Sequence, residues 1–148
     1  MSELDDIVAR LKRRYEGCFG CGIDNPIGLQ LTEFELIDDD VVRATWTPRQ
    51  DYQGFGGMLH GGVVTTALDE VMAWAAMLTE GVAVVTGTLD LRFRNPAPVA
   101  TSYLVEGRVR ERRGRRVLME GRLEDTAAGH DVASAAAMFL VHETLVLD

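Results

Sequence analysis

The longest apolar pattern in the chain lies between Val63 and Leu78. Val63, Val64, Ala67, Leu68, Val71, Met72, Ala75, Ala76 and Leu78 share one broad helical face, wide enough to predict a helix that is mostly buried. Gly81 supplies a natural stop. Everything after it reads as strands. Val82 to Arg94 runs to a break at Pro96, and within it "TLDLRFR" puts Leu89, Leu91 and Phe93 on one face. "SYLVEGRVRERR" and "RRVLMEGRLED" flank Gly114 as a long hairpin, and "HDVASAAAMFLVHETLVL" closes the chain.

Upstream, Leu4, Ile7, Val8, Leu11 and Tyr15 keep helical spacing and predict a short amphipathic helix. "GCFGCGIDNPIG" then reads as an irregular loop, Gly28 to Ile37 as a strand, and Asp38 to Asp40 as a turn. "VVRATWTP" is a second strand ending by Pro48, and "RQDYQGFGG" a loop leading to the long helix. The order is helix, two strands, one buried helix, then about four strands. That is an α+β arrangement, one long helix packed on an antiparallel sheet.

No repeat or linker interrupts the 148 residues, so one domain is expected over 1–148, with 1–27 holding the N-terminal helix and the "CFGCG" loop. The formal charge of -8 argues against nucleic acid or an anionic membrane as a partner. The N-terminus carries no secretory pattern, and acids, glycines and threonines spoil Leu59–Leu78 as a membrane span. A cytoplasmic protein is expected.

Two adjacent carboxylates, Asp69 and Glu70, interrupt the apolar helix, and "HGG" precedes it. Glycines at a helix start allow close approach to the backbone, and the first N–H groups there suit an anion or a developing oxyanion. The same glycines also permit a plain loop-to-helix turn. Gly62 and Asp69 lie seven residues apart, hence on one side of the helix but about 10 Å apart along it. A catalytic group must come within about 3 Å of its target. If Asp69 is catalytic, two antiparallel helices related by a two-fold axis are needed, with Gly62 of one chain facing Asp69 of the other. Asp69 and Glu70 point about 100° apart and cannot share a task.

Cys18 and Cys21 form one C-x-x-C. Reduced thiols in a packed loop, a metal or inter-chain site, and a redox pair all remain open readings, since a zinc site needs about four ligands.

"HGGVVTTALDE" resembles the helix motif of the hotdog-fold acyl-CoA thioesterases, in particular the PaaI-like branch of the 4-hydroxybenzoyl-CoA thioesterase superfamily. "CFGCGIDNPIGLQL", "YQGFGGMLHGG" and "VVTGTLDLRFRNPAP" resemble the flanking loops and the following strand. The resemblance covers roughly residues 18 to 98. It implies a hotdog fold, a long central helix wrapped by an antiparallel sheet. It also implies carboxylate-assisted hydrolysis of acyl-CoA to free acid and CoA, in a homodimer or a dimer of dimers.

By the same resemblance Asp69 is the catalytic carboxylate, as nucleophile or as general base. Gly62 offers the N–H that polarises the carbonyl, His60 orients carbonyl or water, and Thr86 helps place the carboxylate or its water. Gln53 stands where many relatives carry Asn. Glu70 matches no catalytic position. The CoA phosphates would find cations at Arg92 and Arg94 beside Asn95, or at the hairpin tip with Arg113 and Arg115, although all of these also read as solvated surface. Met72, Trp74 and Met77 are either walls of an acyl pocket or plain core. No catalytic metal and no cofactor beyond substrate CoA are expected. The alternatives are an acyl-CoA-binding protein that does not hydrolyse, and a hydratase or dehydratase, whose acid-and-His motif is not found.

Overall fold

The computed structural model describes residues 2–146. Helix α1 spans Glu3–Arg14. Its Ser2 cap and Asp5 exchange hydrogen bonds in a capping box, acids fill the first turn and bases the last. Strand β1 (Phe34–Ile37) turns through Asp38 and Asp39, both at positive φ, into β2 (Val41–Trp46). A single 3-10 turn at Gln50–Tyr52 follows, then α2 (Gly61–Glu80). The last four strands are β3 (Val82–Phe93), β4 (Tyr103–Arg113), β5 (Arg116–Asp125) and β6 (His130–Thr144). All pair antiparallel, in the order β1-β2-β4-β5-β6-β3. The expected α+β architecture is present: one sheet, one long helix across it and a short N-terminal helix.

One expected element is shorter. The strand anticipated from Gly28 begins only at Phe34. Residues 28–33 turn back on the cysteine loop instead: Leu29 N–H donates to Phe19 O at 2.8 Å and Leu31 N–H to Gly20 O at 3.0 Å. Leu29 and Leu31 are buried while Gln30 between them takes a positive φ. The alternation was genuine, but loop partners satisfy the backbone that a sheet neighbour would have.

Helix α2 ends as expected at Gly81, which adopts the left-handed conformation and donates its N–H to Met77 O. Its apolar arc, from Val64 to Met77, is almost wholly buried against the sheet. The two approach closely at Met72. Gly107 and Gly121 are cross-strand partners, and a Cβ on Gly107 would sit 3.0 Å from the Met72 backbone. Two facing glycines thus form a saddle that admits α2. Met72, Trp74 and Met77 are buried, and Trp74 stacks on Phe34 with ring centroids 4.4 Å apart. Of the two readings open for them, plain core is the one found. Among the described residues, no helix is long and apolar enough to cross a membrane.

Candidate active site

The start of α2 is held from both sides. His60 N–H donates to Tyr52 O at 2.9 Å, Leu59 N–H to Ala97 O at 2.7 Å, and Val99 N–H to Gly57 O at 2.8 Å. Gln53 pairs with Leu59 as an isolated bridge, and its side-chain Oε1 accepts from Gly57 N–H at 3.0 Å. Gln53 therefore braces the loop that presents His60. His60 is the N-cap: its Nδ1 accepts from Gly62 N–H at 2.9 Å. A neutral imidazole accepting at Nδ1 carries its proton on Nε2, and His60 is exposed. The donor expected at Gly62 is thus engaged by His60, and the ring offers an outward N–H of its own.

Two turns along α2, Asp69 is half-buried and receives a hydrogen bond from Thr86 Oγ1 to its Oδ1 at 2.6 Å. The contact depends on a bulge. Strict alternation along β3 would put Thr86 on the face opposite Leu89, Leu91 and Phe93. The ladder with β6 shifts between Thr86 and Thr88, so Thr86 pairs with buried Phe139 while Leu89 pairs with Ala137. The extra residue is Gly87, where a Cβ would lie 2.9 Å from Met138 O. The bulge returns Thr86 to the helix-facing side of the sheet, under Asp69. Phe93 lies at the other end of this face, against Gly61, and is 56 % exposed.

Glu70 goes elsewhere. Its Oε1 is 3.5 Å from the sulfur of Cys18, in the loop after α1. Burial first of all, with the Cys18 sulfur adding and a hydrogen bond from Cys21 opposing, pushes its carboxyl up to about 7. The adjacent acids are divided between two environments, Asp69 toward the Thr86 hydroxyl and Glu70 toward the cysteines.

The arginines considered for CoA do not form one cluster. Arg92 pairs in register with Ser134, whereas Arg115 sits beside Val141 seven residues along the same β6 strand, about 23 Å away. Arg92 and Arg94 line a cavity of about 640 Å³ with Arg108, Arg110 and Arg122. Arg108 and Arg122 there are paired with Glu120 and with Glu106 and Asp131. The cavity lies on the sheet face turned away from α2, and Asp69 is not part of it. Arg94 reaches Ser134 Oγ at 3.4 Å, Asn95 donates to Asp131 O at 2.6 Å and ties β3 to β6, and Arg113 is paired with Glu111 at 2.8 Å. His130 opens β6 and His142 lies near its end.

Residues 56–128, from the loop before α2 through β5, match the thioesterase superfamily. An uncharacterised mitochondrial protein of Candida albicans (strain WO-1) is 38% identical over 96 residues, 64% of this chain and 38% of that protein. Acyl-coenzyme A thioesterase THEM4 of Bos taurus is 24% identical over 101 residues, 68% of this chain and 41% of that protein. The chain thus matches about two fifths of the length of these curated relatives. Among solved structures, the thioesterase superfamily protein RHA08564 superposes with a TM-score of 0.76 at 25% identity, covering 93% of this chain and 75% of that one. A hypothetical thioesterase with coenzyme A from Streptococcus pneumoniae TIGR4 gives 0.70 at 18% identity, over 77% of this chain and 90% of that one, a likeness of fold. With its single long helix laid across an antiparallel sheet the chain has the hotdog fold, and residues 56–128 of it, through helix and strands, match the thioesterase superfamily.

Proposed function

We propose that this protein hydrolyses acyl-CoA thioesters to free acid and CoA, at sites shared by two copies of the chain. The observation that carries this reading is the Thr86–Asp69 hydrogen bond two turns along a helix whose start is exposed. Thr86 fixes one carboxylate oxygen and leaves the other free to attack the thioester carbon or to take a proton from water. The oxyanion would be met at the His60–Gly62 end of a helix, by the Nε2 proton of His60 or by Gly62 N–H once His60 turns aside.

Seven residues separate those ends on one chain, about 10 Å. The free edge of β3 supports the two-chain arrangement. β3 is an edge strand with twelve residues, and it exposes Val85 and Phe93. Joining two such edges about a two-fold axis would run the α2 helices antiparallel and bring each helix start toward the partner's carboxylate. The Streptococcus pneumoniae structure with coenzyme A supports CoA as the carrier.

One observation favours the alternative, acyl-CoA binding without hydrolysis: Gly62 N–H is already committed to His60. Thiol release from a panel of aliphatic and aromatic acyl-CoAs separates the two. Saturable CoA release is expected. Saturable binding of every panel member without release would replace the hydrolase reading by the binding one.

A further inference from the structure

The reaction outlined above leaves three reactive side chains unused. Cys18 and Cys21 lie in the loop between α1 and β1, and Glu70 lies on α2, yet one ligand atom from each falls within 4.8 Å of the other two. The loop is built around this meeting. Gly22 N–H donates to Cys18 O at 2.8 Å, closing a tight turn around the pair. Gly22 is required for space, since a Cβ there would lie 2.2 Å from Glu16 O, and a Cβ on Gly20, 2.3 Å from Glu70 Oε2, would push that carboxyl aside. The indole N–H of Trp74 is fully buried and makes no hydrogen bond.

We propose that Cys18, Cys21 and Glu70 bind one thiophilic divalent cation of the zinc class, with water in the fourth position. A tetrahedral zinc with bonds of about 2.0–2.3 Å sets its ligand atoms ~3.5–3.8 Å apart. The Cys18–Glu70 separation of 3.5 Å already meets that, and the whole set needs to close by no more than about 1 Å. Two thiolates and a carboxylate select a zinc-like ion over magnesium or calcium.

With its proton on, the Cys18 thiol donates to Glu70 Oε1 at 3.5 Å. A bound cation would take the place of the thiol protons and be shared by all three side chains. The C-x-x-C also lies in turns and not at the helix N-terminus that activates redox pairs. The ion would fasten the loop of residues 16–31 to α2 one residue from Asp69, acting as a structural clamp and taking no part in the chemistry.

Cobalt titration of the full chain, reduced and stripped with a chelator, tests this without reference to thioester turnover. One cobalt per chain is expected, with a thiolate charge-transfer band and strong tetrahedral visible bands, displaced by zinc. Cys18→Ser and Cys21→Ser should lose the charge-transfer band in proportion to the sulfur removed. Glu70→Gln should keep both sulfurs but weaken the metal at least about tenfold. Circular dichroism checks each fold, and Glu70→Gln decides alone if the cysteine variants unfold. The proposal is overturned if the reduced chain, its thiols titrating as free, takes up no cobalt. It is equally overturned if the cysteine variants keep the full spectrum, or if Glu70→Gln binds as tightly as the parent.

Discussion

Thr86 Oγ1 lies 2.6 Å from Asp69 Oδ1, and this bond joins an edge strand to the middle of the buried helix. The hydroxyl donates, so it orients the carboxylate and stabilises its charge while leaving Oδ2 unclaimed. The two residues should therefore fail differently. Asp69→Asn removes the nucleophile or base and should lower kcat by on the order of 10²–10⁴-fold with the fold intact. Thr86→Val keeps shape and loses the donor, with an expected loss of about tenfold, and Thr86→Ser should recover most of it. Steady-state kinetics on the best acyl-CoA, with circular dichroism as control, checks both. Full turnover by Asp69→Asn would remove Asp69 from the mechanism.

The spacing of Gly62 and Asp69 leads to a complementation experiment. Gly62→Pro deletes the N–H and also displaces His60, whose Nδ1 accepts that N–H and would lie 3.0 Å from a Cβ there, while proline is tolerated in a first helical turn. Alone, it and Asp69→Asn should each be nearly inactive. If each site takes Gly62 from one chain and Asp69 from the other, a heterodimer of the two variants has one intact site and one doubly damaged site. Random re-pairing of an equal mixture should then restore about a quarter of parental activity. An inactive mixture whose heterodimers are verified by mass would place both residues of a site on one chain.

The sequence pattern disclosed the long helix, its glycine stop, both hairpins and the strand order's class, because those rest on periodicities that survive tertiary contact. Three features were not legible. The strand expected from Gly28 was lost to backbone bonds with Phe19 and Gly20, partners that no local pattern displays. The bulge at Gly87 reversed the facing of Thr86, so the pairing with Asp69 was reached through family resemblance and not through alternation. Glu70 reads locally as a spare acid on α2, and its meeting with Cys18 spans 52 residues of chain. A glycine inside a strand was the one available hint of the bulge. The distance between the arginine candidates was equally hidden, since Arg92 and Arg115 meet β6 at Ser134 and Val141.

The glycine saddle under Met72 predicts unequal costs for two similar changes. A Cβ at position 107 meets the Met72 Cα and N and the Val71 carbonyl oxygen, all at 3.0 Å. Those are backbone atoms of α2, so the helix itself must retreat. A Cβ at 121 meets the Met72 Cγ and Sδ at 3.2 Å, atoms of a flexible side chain, besides Glu106 O. Gly107→Ala should destabilise by about 1–3 kcal/mol and Gly121→Ala by less. Urea denaturation measures both, and equal midpoints for Gly107→Ala and the parent would rule out the close packing of α2 on β4.

Glu106 supplies a pH dependence. It holds Arg122 at 2.9 Å and Arg43 at 2.7 Å, across β4 from β5 and β2. Burial works to raise its carboxyl pKa, but the hydrogen bonds and charges of Arg122 and Arg43 outweigh it and keep it below the ordinary glutamate value. A carboxyl with a depressed folded-state pKa binds fewer protons folded than unfolded between the two values. Its stabilisation is therefore complete above the unfolded value, about 4.3, and disappears as pH falls through the folded one. Both arginines are about one-third exposed, so solvent screening keeps the effect modest. Glu106→Gln should cost about 1–2 kcal/mol at pH 7. The gap between variant and parent should then narrow steadily below about pH 4. Denaturant titrations across that range give the curve directly, and a gap independent of pH would mean that Glu106 acts through packing alone.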